Sequence, residues 1–258
     1  MNNLFSLPRF LMLFRKHMLE KSKEYLLSTL TLTIIITALL SFIAYKDSSG
    51  LREDMQGVAF VISIILSGII FTSKIFSDLG NKKKSTNYLM LPASHLEKYL
   101  VNWSLSYIFF QVVFIVVFYL ATFIVLSFRI NEIGNSNRVF NILDTQNNIY
   151  LIFLVYLAVH SFMFFGSIKY RKNHFIKTIF LLFSFASLFS LFNWILSSLI
   201  ISPKILTSFP LTSLRFIEDG KYYNITHASN TVIAVSLTII VSALLWLSAF
   251  YRLKEKEV

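Results

Sequence analysis

The sequence predicts an all-α integral membrane protein with six transmembrane helices and an amphipathic helix ahead of them. Three observations carry this. Hydrophobic residues make up 55% of the chain and charged residues 14%, against about 25% charge in an ordinary soluble domain. The apolar residues gather in six blocks, each at or above the roughly 20 residues a helix needs to cross a bilayer. All thirteen acidic residues fall outside those blocks.

The elements follow in chain order. Residues 1–25 form a charged lead. Within it Leu7, Phe10, Leu11, Phe14 and Met18 recur at helical spacing, with Arg9, Lys16, Glu20 and Lys23 on the opposite face. Met12 and Leu13 interrupt the separation. The pattern predicts an amphipathic helix lying in the cytoplasmic interface. The six-helix transmembrane domain occupies 26–251, with spans at about 26–45, 57–76, 100–128, 149–168, 175–201 and 228–251. The third and fifth exceed a single crossing and are therefore expected to tilt, kink or extend beyond the bilayer. Residues 46–56 form a short connector, and the asparagine-rich stretch 129–148 is expected to form an irregular cap. The outer loop 202–227 mixes Pro203, Pro210 and Gly220 with apolar residues, and is expected to hold one or two short helices dipping toward the membrane surface. Residues 252–258 are a tail.

Lysine and arginine orient the chain. Fifteen fall in the lead, the 77–99 loop, the 169–174 loop and the tail, against seven in the three loops on the other side. Cytoplasmic loops carry the excess, so both termini are predicted cytoplasmic, in a cell membrane (the inner membrane if the cell is Gram-negative). The net charge of +11 then reflects contact with anionic membrane lipids rather than with nucleic acid. With no cysteine in the chain, disulfides and thiolate metal sites are excluded.

The missing chemistry narrows the function. Ion-coupled carriers keep ionisable groups at membrane depth, and no carboxylate lies in the spans. No glycine-rich phosphate loop precedes a lysine and a serine or threonine, so nucleotide, if used, binds elsewhere. The five histidines lack the spacing of a zinc hydrolase. No catalytic, cofactor-binding or metal-binding residue is assigned, and the chain is not expected to be an enzyme. Gln111, His160, Asn193 and Trp194 lie within spans and are the candidates to line a pathway. The competing reading for each is a helix–helix contact worth on the order of 1 kcal/mol.

The polar island at 81–100 separates the second and third spans. Lys82, Lys83 and Lys84 open it, Pro92 precedes a short helical segment, and Ser94 and Glu97 have the spacing of a capping box. The arrangement resembles the permease subunits of type-2 ABC exporters: an amphipathic lead, six spans with both ends inside, a short cytoplasmic helix between spans two and three, and a long outer loop before the last span. The segment Tyr88–Ser94 resembles that family's Leu-x-x-Leu-Pro-x-Ser pattern, with Leu89, Leu91, Pro92 and Ser94 as the matching kinds of residue. Lys98 resembles the basic residue that follows. The lysine-rich run at 81–87 departs from the acidic stretch that family members carry there.

The resemblance implies that 77–99 is a coupling loop. In it Leu89, Leu91, Pro92, Ser94, Leu96, Glu97 and Lys98 would dock on a separate ABC ATPase subunit that binds ATP and Mg. The chain, with a second copy or a sibling, would form the pathway for an amphipathic or apolar cargo such as a lipid, drug or peptide. The alternative is a non-transporting scaffold or sensor subunit that uses the same basic loops to hold a partner.

Overall fold

The structure, a computed structural model, describes residues 5–46, 50–76, 93–129, 138–142, 151–170, 174–200, 205–208, 214–218, 221–225 and 230–256. Eight α-helices are present among them. Helix α1 is Leu7–Glu20, α2 is Ser22–Lys46 and α3 is Glu53–Lys74. Helix α4, His95–Ser104, runs through a π-helical turn at Leu105–Phe109 into α5, Phe110–Arg129. Helices α6, α7 and α8 are Ile152–Lys169, His174–Ile200 and Asn230–Lys256. Six helical stretches are long and apolar enough to cross a membrane, counting α4 through α5 as one. They coincide with the six expected blocks to within a few residues, and the chain is a multi-pass helical membrane protein. The third stretch is 34 residues long, His95–Phe128, and is interrupted by the π-turn, where the i→i+4 ladder admits one extra residue.

Helix α6 is the hub. It packs on α8, α3 and α7, while α2 packs chiefly on α5. Between lipid-facing helices the association rests on close packing rather than on the hydrophobic effect. Two glycines permit it. A Cβ on Gly68 of α3 would lie 2.3 Å from the Tyr156 ring, and one on Gly166 of α6 would lie 2.0 Å from Thr178 Oγ1 on α7. The hydroxyls of Thr29, Thr31, Thr33, Ser67 and Thr122 donate to carbonyls four residues back. Each therefore meets lipid or a helix neighbour with its donor already used.

Two apolar cores result. One joins α2, α3, α5 and α6 around Phe60, Phe114 and Phe118, with Phe60 edge-on to Phe118 at 5.0 Å. The other lies at the end of the bundle where α1, the start of α4 and the end of α8 meet, around Tyr99, Phe164, Ile168 and Leu253.

At the opposite end the expected irregular cap is present where the chain is described. Gln56 is fully buried. Its Nε2 donates to the carbonyls of Leu51 (2.9 Å) and Arg138 (3.0 Å), and its Oε1 accepts from the Phe140 amide (2.9 Å). One glutamine thus satisfies three backbone groups of two loops and seats Phe140 in the core.

The outer loop is a correction. Among its described residues there are no helices but three strands, β1 Ile205–Ser208, β2 Leu214–Glu218 and β3 Lys221–Ile225, in one antiparallel sheet of order β1-β2-β3. Glu218 pairs with Lys221 across a two-residue connection, which the sequence fills with Asp219 and Gly220. Asp-Gly between β-branched and aromatic runs is a strong hairpin signal. Phe216 stacks on its register partner Tyr223 at 5.3 Å, a cross-strand pair of the stabilising kind.

Helix α1 is also more than an amphipath with one apolar face. Phe10, Leu13, Phe14 and Met18 pack into the second core. Leu7 and Leu11, expected on that same face, are 58% and 55% exposed and share the outer side with Met12 and Leu19. The helix has one apolar stripe for the bundle and another for its surroundings, so a single-face reading merges the two.

Candidate functional site

The site is built on the first turn of α4. Ser94 is its N-cap, in extended conformation, and accepts from the Glu97 amide at 3.2 Å. Glu97 returns the contact: its Oε2 accepts from the Ser94 amide at 2.9 Å. The reciprocal capping box expected from the spacing is therefore complete.

The second carboxylate oxygen reaches across to α1. Glu97 Oε1 accepts from the Ser6 amide at 2.7 Å and from Arg9 Nε at 3.1 Å. A second Arg9 guanidinium nitrogen lies 3.0 Å from the same oxygen. The Glu97 side chain is fully shielded from solvent, while that of Arg9 is 32% exposed. One buried carboxylate thus satisfies the N-terminal amides of two helices at once, where the positive ends of both dipoles favour a negative charge. Helix α1 and the entry to the third span are joined as one piece.

The next residues extend the collar toward α8. Lys98 is 3% exposed and Tyr99 is 8% exposed. The Tyr99 hydroxyl donates to the Trp246 carbonyl at 2.8 Å, and its ring meets Phe250 and Phe164 edge-on at 5.4 Å each. A displacement of the α4 start is therefore carried to both α1 and α8.

Below the collar lies the π-turn. Ser106, inside it, has one hydroxyl proton, which is accommodated by the Asn102 carbonyl at 2.8 Å. His160 Nε2 of α6 is 2.9 Å from the same hydroxyl oxygen, so the imidazole N–H is assigned as donor to it. The Tyr156 hydroxyl donates to the Ser106 carbonyl at 3.2 Å. The irregular turn thus offers both its hydroxyl and its carbonyl to α6. Around His160 stand Tyr107 (5.0 Å), Phe164 (5.3 Å), Tyr156 (6.0 Å) and Trp246 (6.0 Å). The Nδ1 atom has no hydrogen-bond partner among the described residues.

The sequence-predicted residues divide accordingly. Leu89, Leu91 and Pro92 lie outside the described residues. Ser94 and Leu96 are half-buried at the α4 start, whereas Glu97 and Lys98 are buried. Glu97 spends its carboxylate within the chain, on the Ser94 and Ser6 amides and on Arg9. Gln111 is half-buried on α5. Asn193 and Trp194 sit on α7, half-buried and 51% exposed respectively. His160 faces the π-turn and α8 from α6, so the four pathway candidates are spread over three helices rather than gathered in one cavity. Among the described residues no cluster of His, Asp or Glu has the makings of a metal site.

Ser6, Ser106 and Tyr156 are not singled out by the sequence, and Arg9 stands out in it only as part of the polar face of the lead. A serine in an apolar run and an arginine in an amphipathic lead carry no local mark of a partner 50 or more residues away. Replacing Ser106 with alanine is expected to lower stability by about 1 kcal/mol, the usual scale of an interhelical hydrogen bond. Thermal melting in detergent measures it, and an unchanged midpoint would remove the Ser106–His160 link from the account.

Comparisons with protein families, with curated proteins and with solved structures give no match to this chain.

Proposed function

We propose that the chain is the membrane-spanning permease subunit of an ATP-driven exporter. In this reading it couples through residues 81–100 to a separate ATPase subunit, which binds ATP and Mg. Two copies, or this chain and a sibling, enclose the pathway for an amphipathic or apolar cargo. The observation that carries the reading is the Glu97 junction. It makes the end of the 81–100 segment, helix α1 and the third span one mechanical unit. A partner pressing on the Ser94 turn would move the third span and α1 together, and α8 through Tyr99. The absence of carboxylates from the apolar blocks agrees with an energy source outside the membrane.

The test is whether an ATPase, sought first among the products of neighbouring genes, is retained when co-expressed with the chain and purified in mild detergent. Wild type is expected to hold it. Leu96→Asp places a charge on the half-buried face next to the cap and is expected to weaken retention about thirty-fold, the equivalent of one interface hot spot of about 2 kcal/mol. Helical content should be unchanged. An ATPase held equally by the variant, or by neither protein, would overturn the reading. Stable capture of a different partner with no cargo flux in vesicles would favour the scaffold role.

A further inference from the structure

A groove of about 360 Å³ runs between α2, α3 and α5, within the roughly 300–1,000 Å³ range of small-molecule sites. Its walls are apolar, formed by Leu32, Ile35, Phe71, Phe110, Val113 and Phe114. At the end of the bundle that carries α1, it adjoins a smaller cavity of about 110 Å³ lined by Lys21, Glu24, Ser28 and Lys74. Tyr25, Ser28, Phe71 and Lys74 line both. The two therefore form one amphipathic space, with a long apolar part and a charged mouth.

The mouth is unusual in one respect. Lys74 on α3 and Glu24 on α2 line the same small cavity but are not within ion-pair distance of each other, and neither forms an ion pair among the described residues. Both are exposed. Opposite charges held apart across one cavity fit a ligand with the reverse dipole: an anion for Lys74 and a cation for Glu24. The adjoining groove fits a hydrocarbon chain.

We infer that this space binds an aminophospholipid, with its phosphodiester at Lys74, its primary ammonium at Glu24 and an acyl chain between α2, α3 and α5. Lys21 on the same rim adds positive potential for the phosphate. A purely anionic headgroup meets Glu24 unfavourably, and an uncharged lipid leaves both side chains unanswered. The inference does not depend on the transport reading, since a bound lipid serves a carrier and a scaffold alike.

The experiment measures lipid retained by the full-length protein in mixed micelles, by native mass spectrometry, for phosphatidylethanolamine, phosphatidylglycerol and diacylglycerol with identical chains. Wild type is expected to favour phosphatidylethanolamine over each of the others by about five-fold, the scale of one charge near a lipid headgroup. Lys74→Gln should abolish the preference over diacylglycerol, and Lys74→Arg should keep it. Glu24→Gln should remove the preference over phosphatidylglycerol. Ser28→Phe, which obstructs the junction of the two cavities, should lower retention of all three lipids. Equal retention of the three lipids by wild type, or an unchanged preference in Lys74→Gln, would overturn the inference. So would equal occupancy by chain-free glycerophosphoethanolamine, because the groove would then contribute nothing.

Discussion

Replacing Glu97 with alanine is expected to free helix α1 from the bundle while the six spans remain inserted. Two terms dominate the cost. Loss of the Glu97 half of the capping box, the bond from the Ser94 amide, destabilises by about 1 kcal/mol. Loss of the buried, charge-assisted bond from the Ser6 amide adds about 2 kcal/mol. The Arg9 ion pair adds little beyond this, because the guanidinium is one-third exposed and solvent screens it. The absence of cysteine makes the measurement direct. A single cysteine at Leu13, on the inward stripe of α1, reports opening by its rate of thiol labelling. Labelling in the Glu97→Ala background is expected to be about tenfold faster or more, since a lowered local opening free energy raises the open population. Glu97→Gln keeps an oxygen for the Ser6 amide and should fall between. Equal labelling of wild type and Glu97→Ala would mean that Phe10, Leu13 and Phe14 hold α1 without the carboxylate.

Gly68→Ala is expected to lower the stability of the bundle by about 2–3 kcal/mol. The added Cβ would stand 2.3 Å from Tyr156 Cε2. That ring cannot turn aside cheaply. It is fully buried, stacks between Tyr107 at 6.0 Å and Phe110 at 5.8 Å, and is tied through its hydroxyl to the Ser106 carbonyl. Helix α3 must therefore back away from α6, or the link to the π-turn must break. Thermal melting of the purified protein reads the effect, and the Gly68→Ala/Tyr156→Leu double variant separates the causes. If the clash is responsible, the double variant is more stable than the sum of the single changes predicts. Strict additivity would place the cost of Gly68→Ala elsewhere.

These two residues differ in how far the sequence exposed them. Glu97 was marked by its three-residue spacing from Ser94, and the cap formed as that spacing requires. Its second role was not marked, because Ser6 and Arg9 are 91 and 88 residues away. Gly68 carried no mark at all: a glycine in an apolar block has the same appearance whether it faces lipid or a tyrosine ring. The outer loop shows the reverse case. Its Asp219-Gly220 pair between two β-forming runs was a local signal for a hairpin, and the prolines and scattered leucines drew the expectation toward helices instead.

The sequence by itself determined the six spans and the helix cap. Each is a property of one short segment: hydropathy summed over about 20 residues, or a hydroxyl and a carboxylate three residues apart. Only the tertiary structure decided which face of each helix looks inward. In water an amphipathic pattern announces the buried face. In lipid both faces are apolar, so the pattern is nearly silent, and packing and polar links select the neighbours. The second stripe of α1, the pairing of His160 with Ser106, and the charged mouth between Lys74 and Glu24 are all consequences of that choice. Each joins residues that the chain keeps far apart and that lipid-facing composition does not distinguish.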